Sequence, residues 1–71
     1  MTTAERYRIG VDIGGTFTDL VMLDTATGRL QNEKVLTTPS DPSRAVLEGV
    51  KKLLDAHAVA AREVILVIHG T

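Results

Sequence analysis

Seventy-one residues without a cysteine allow one small domain, held by packing alone, with no disulfide to staple it. A formal net charge of −1, with both signs interspersed, argues against nucleic acid or an anionic membrane as partner, and one Tyr and one Phe give no platform for stacking bases. The apolar content is that of an ordinary globular chain, no apolar run reaches membrane-spanning length, and the first six residues lack the apolar core of a signal peptide, so the expected setting is the cytoplasm.

Tyr7 to Ile13 reads as a first strand, with Ile9, Val11 and Ile13 on one face and Gly10 and Asp12 on the other. Gly14 and Gly15 turn the chain, and Phe17 to Asp24 reads as a second strand. The polar turn Thr25-Ala26-Thr27-Gly28 leads into a third, Arg29 to Thr37, where Leu30 and Leu36 oppose Val35. Gln31, Asn32, Glu33 and Lys34 suit an exposed edge. Thr38 to Pro42 breaks the sheet, and Ser40 or Asp41 can cap a helix whose first turn holds Pro42.

From Ser43 to His57 the residues Val46, Leu47, Val50, Leu53 and Leu54 form one helical stripe. Glu48 and Lys52 have the spacing of a favourable ion pair. Gly49 is unfavourable inside a helix, which close packing would explain. His57 sits at the helix end, Ala58 to Glu63 is a short connection, and Val64 to His69 is a fourth, almost purely apolar strand.

The order β-β-β-α-β predicts an α/β unit: an antiparallel meander, then a right-handed crossover that lays the fourth strand parallel to the first, for a mixed sheet in the order 3-2-1-4. One helix cannot cover both faces of such a sheet, so residues 1–71 read as a single partial domain, a piece of something larger or one half of a domain.

That topology brings Asp12-Ile13-Gly14-Gly15-Thr16 and His69-Gly70-Thr71 to one end of the sheet, outside the C-terminal ends of two parallel strands, where ligands bind. Backbone N–H groups beside small residues suit a phosphate, and a nearby carboxylate suits its magnesium ion. Asp12 is then a metal ligand or a strand-end carboxylate bonded to turn amides. Gly14 and Gly15 are a phosphate cradle or a tight hairpin. Thr16 and Thr18 are hydroxyl donors or residues chosen for strand propensity. Asp19 steers a metal-bound water or caps a turn. His69 is a proton carrier, a ligand or a hydrogen-bond donor. The spacing matches neither the dinucleotide fingerprint nor the P-loop, and no nucleophile triad or complete zinc set is present.

Tyr7 to Asp19, Lys34-Val35-Leu36-Thr37-Thr38-Pro39, Asp41-Pro42-Ser43 and the closing His69-Gly70-Thr71 together resemble the N-terminal region of the hydantoinase A / 5-oxoprolinase family, of the actin-like ATPase superfamily. The resemblance implies a ribonuclease H-like half-domain, with Asp12 near Mg2+ and with Gly14, Gly15, Thr16, Thr18, His69, Gly70 and Thr71 around the phosphates of ATP. It implies a parent enzyme that hydrolyses cyclic amides such as 5-oxoproline or hydantoin, or a subunit of an acetone-type carboxylase. The partners it implies are the remainder of that chain, or a second subunit of hydantoinase B type, and a small cyclic amide or ketone. It also implies that these 71 residues alone are inactive. A sugar kinase of the same superfamily and a small non-catalytic docking module are the competing expectations.

Overall fold

The computed structural model describes residues 6–70. Strands β1 (Tyr7–Ile13), β2 (Phe17–Asp24) and β3 (Leu30–Leu36) are followed by helix α1 (Pro42–His57), a single 3-10 turn (Ala61–Glu63) and strand β4 (Val64–Gly70). They form one four-stranded sheet in the order β3-β2-β1-β4. β1–β2 and β2–β3 are antiparallel and β1–β4 is parallel, so the expected α/β half-domain with one covering helix is the one observed.

The alternation of the strands decides which face the helix covers. Ile9 and Val11 of β1, Leu20 and Met22 of β2, and Val35 of β3 are buried against Ala45, Val46 and Leu53 of α1, with Val59 just beyond the helix. Burial of such side chains is each worth about 1.5–3 kcal/mol before chain entropy is set against it. The expected stripe needs one correction. Leu47 is 68% exposed and Ala45 takes its place, because the buried side runs through residues 45, 46, 49 and 53 and leaves 47 outside it. Gly49 is in the core for the reason anticipated: a Cβ there would strike the Leu20 side chain, with Cδ2 at 2.9 Å. The helical ion pair also differs. Lys51 Nζ lies 2.8 Å from Asp55 Oδ2, and no Glu48–Lys52 pair forms among the described residues.

The remaining differences are at element ends. α1 starts at Pro42, with Asp41 rather than Ser40 as its N-cap. The Asp41 carboxylate accepts the Ser43 hydroxyl at 2.7 Å instead of a helix amide. β3 is one residue shorter at each end than its polar pattern implied. The helix ends on Ala58 in the left-handed conformation (φ 54°), which turns the following N–H, that of Val59, onto Leu54 O at 3.0 Å.

The helix packs chiefly on β3 and β2. Leu66 and Ile68 of β4 share the helix-side face with Ile9 and Val11, yet stay 43% and 52% exposed. The opposite face has no cover among the described residues. It exposes Phe17, Val21, Leu30, Leu36 and Val67, and it carries Asp12, Asp19 and His69.

Candidate functional site

The first turn, Gly14 to Phe17, joins β1 to β2 at the end of the sheet where β1 and β4 both finish. β1 and β4 run in register there, with Asp12 beside His69 and Ile13 beside Gly70. The expected meeting of the two glycine-bearing segments is therefore present as far as Gly70, and Thr71 lies outside the described residues.

The turn is closed by Gly14 N–H donating to Phe17 O at 3.0 Å. A Cβ on Gly14 would sit 2.9 Å from that same carbonyl, so the tight turn itself requires glycine at this position. Gly15 is different. A Cβ there meets nothing within 4 Å. Among the described residues Gly28 is the sole glycine with positive φ, so no left-handed conformation calls for a glycine at 15. Its N–H and that of Thr16 have no partner among the described residues. The primed hairpin turn that a Gly-Gly pair ordinarily signals needs positive φ, and neither glycine shows it.

Thr37, at the end of β3, ties the turn to the sheet. Its N–H donates to Thr16 O at 2.8 Å and its hydroxyl to Gly14 O at 2.8 Å, while Thr18 Oγ1 lies 2.9 Å from Thr37 Oγ1. Thr18 is fully buried. Thr18 faces the interior and bonds Thr37, while Thr16 is exposed. Sequence reading missed Thr37 as a part of this turn. Only its place in the Lys34 to Pro39 stretch pointed to it, since its contacts reach back 19 and 23 positions along the chain.

On the uncovered face, one row crosses all four strands: Lys34, Asp19, Asp12, His69. Two carboxylates directly opposite each other work against pairing. Lys34 Nζ, 5.1 Å over the Phe17 ring, stands 3.7 Å from Asp19 Oδ1 and offsets part of that. Asp12 is exposed and its carboxylate has no hydrogen-bond or ion-pair partner among the described residues. It lines a shallow hollow of about 440 Å3 together with Gly10, Asp19, Val21, Val67 and His69. Gly10, like Gly15, has open space where a side chain would go.

Among the described residues no group of three or more His, Cys, Asp or Glu side chains is arranged to hold a metal unaided. Magnesium does not need such a cage, because it keeps several waters and binds through one or two carboxylates plus substrate phosphates. The free, hard oxygen donors of Asp12 fit that role. A second hollow of about 340 Å3 lies at the other end of the sheet, lined by Tyr7, Met22, Asp24, Arg29, Gln31 and His57. It lies away from the C-terminal ends of the parallel strands β1 and β4, and the carboxylate in it is already bonded to Arg6.

Residues 8–71 match the profile of the hydantoinase/oxoprolinase N-terminal region. The chain is 38% identical over 71 residues to the caprolactamase subunit alpha of Pseudomonas jessenii, an alignment covering 94% of this chain and 10% of that protein. It is 44% identical over 45 residues to an uncharacterized protein of Methanocaldococcus jannaschii, covering 63% of this chain and 7% of that one. The chain thus spans a tenth or less of the length of these curated relatives.

Proposed function

Because this chain belongs to the hydantoinase/oxoprolinase N-terminal family, we propose that it supplies the phosphate-binding wall of an ATP-dependent enzyme acting on cyclic amides. The observation that carries this reading is Gly15: neither sterics nor backbone angle requires a glycine there, and its free N–H stands beside that of Thr16 at the C-terminal ends of parallel strands. Close approach of a phosphate accounts for all three facts at once.

In this reading the Gly15 and Thr16 amides and the Thr16 hydroxyl hold phosphate oxygens. The His69-Gly70-Thr71 segment forms the adjoining wall. Asp12 holds Mg2+, which when bound neutralises charge on the phosphates. ATP, when bound, would supply a phosphoryl group for the amide carbonyl oxygen, with ADP as leaving group, so that after water adds to the carbon the oxygen could depart as phosphate. The similarity to a caprolactamase subunit favours a lactam-like cyclic amide over a ketone. The exposed apolar face supports a partner that covers it, either the remainder of a longer chain or a second subunit of hydantoinase B type. A site with one wall clamps and desolvates ATP poorly, so the 71 residues alone turn over no substrate.

Asp12→Asn in the full-length enzyme carrying this region tests the reading. Turnover of ATP with the cyclic amide is expected to disappear while the melting temperature is unchanged or higher, since one of two facing carboxylates is neutralised. Turnover at the wild-type rate would overturn the proposal.

A further inference from the structure

We infer that Thr37 is a positioning residue for this site: from the end of β3 it holds the Gly14 and Thr16 carbonyls toward the sheet and so aims the Gly15 N–H outward at the phosphate. The inference rests on the phosphate reading of the turn proposed above.

The direction of each hydrogen bond follows from counting protons. The Thr37 hydroxyl has a single proton, and it goes to Gly14 O at 2.8 Å. In the 2.9 Å contact between the two threonine hydroxyls, Thr18 must then be the donor. The result is a one-way relay from the buried Thr18 hydroxyl to the Thr37 hydroxyl to the Gly14 carbonyl. The peptide linking Gly14 and Gly15 is planar and trans, so its C=O and N–H point in opposite directions. With the carbonyl fixed toward Thr37, the Gly15 N–H points away from it. The bond from Thr37 N–H to Thr16 O, at 2.8 Å, fixes the far side of the same turn. The free donor is thereby oriented before any ligand arrives, and an anion meets it without paying to reorganise the loop.

Two substitutions separate the hydroxyl from the rest of the side chain. Thr37→Val keeps the shape and the strand preference but loses the proton. Thr37→Ser keeps the proton. In the full-length enzyme Thr37→Val is expected to raise KM for ATP about 10-fold, the effect of one lost hydrogen bond, with little change in kcat. Thr37→Ser is expected to restore KM to within about 2-fold of wild type. Thr37→Ala provides the same test should valine pack badly. A merely structural role would lower the amount of folded enzyme, and with it apparent kcat, at unchanged KM.

Hydrogen–deuterium exchange of the segment containing Gly14 supplies a readout that involves no nucleotide. Faster exchange is expected in Thr37→Val and not in Thr37→Ser. An unchanged KM in Thr37→Val, in an enzyme that uses ATP, overturns the inference and leaves the phosphate reading standing. An enzyme whose turnover ignores ATP overturns the phosphate reading, and the exchange measurement then decides the clamp alone: equal rates in both variants would refute it.

Discussion

The two turns of the meander look alike in sequence and differ in what their glycines are for. In the turn from Asp24 to Arg29, Gly28 has φ +78° and its N–H donates to Asp24 O at 2.7 Å. The Asp24 carboxylate accepts Ala26 N–H at 2.9 Å and is gripped by Arg6 through Nε at 2.9 Å and a second nitrogen at 2.8 Å. Thr25 closes on Arg6 O through both its N–H and its hydroxyl. Backbone conformation and local bonding account for each of these residues. In the turn from Gly14 to Phe17, Gly14 is explained by the close Phe17 carbonyl, but nothing among the described residues calls for a glycine at 15 or accepts its N–H. Under the proposed function, a glycine without a steric role beside unused donors is what would set a binding turn apart from a connecting one.

The largest test of that contrast is Gly15→Ala. Because its Cβ enters open space at an ordinary φ, folding stability is expected to hold or to rise by about 0.4–1 kcal/mol through the stiffer unfolded chain. Turnover of the full-length enzyme is expected to fall roughly 100-fold as the added methyl displaces the phosphate. Full activity in a stable Gly15→Ala enzyme would make the two turns equivalent. Gly28→Ala should do the reverse. Its left-handed φ costs an alanine about 1–2 kcal/mol, seen as a lower denaturant midpoint, while activity per folded molecule stays at the wild-type level. Loss of catalysis there without loss of stability would mean that the distal turn also serves the site.

The contrast was only half legible in the sequence. The bounds of β1 and β2 could be read because β1 alternates through Ile9, Val11 and Ile13 and a second apolar run, Leu20 to Leu23, follows the glycine turn, and the 3-2-1-4 order followed from turn lengths and one crossover helix. Leu47 misled because an apolar residue beside the stripe looks the same as one within it until the helix is rotated onto the sheet. The identity of the turn residues was visible, but their roles were not. A Gly-Gly pair signals a tight hairpin far more often than a phosphate cradle, and only the φ angles show that neither glycine here forms a primed turn. Thr18 could be read as a hydroxyl donor or as a strand former, and its burial places it behind the turn. Thr37 carried no local signal, since its bond to Gly14 joins residues 23 apart that meet only when β3 pairs with β2.

The smallest effect concerns the distal turn's own electrostatics. The Asp24 carboxyl is held down at about 2, first by its hydrogen bonds from the Arg6 side chain and then by the Ala26 amide, against a desolvation that acts the other way. A carboxylate lowered in the folded state contributes stability that is fully present above its unfolded value, 3.8, and is lost as pH falls toward about 2. Denaturant midpoints of the wild type should therefore decline across that window, and Arg6→Ala should flatten the decline by returning Asp24 toward its ordinary range. The change is expected to be small and to shrink as salt is added, because Arg6 is 41% exposed and water screens the pair. An acid slope that is as steep in Arg6→Ala as in wild type would show that Asp24 owes its stabilisation to the turn amide. The distal turn would then hold to the N-terminal segment through the Arg6 carbonyl, which accepts the Thr25 N–H and hydroxyl, and not through the guanidinium.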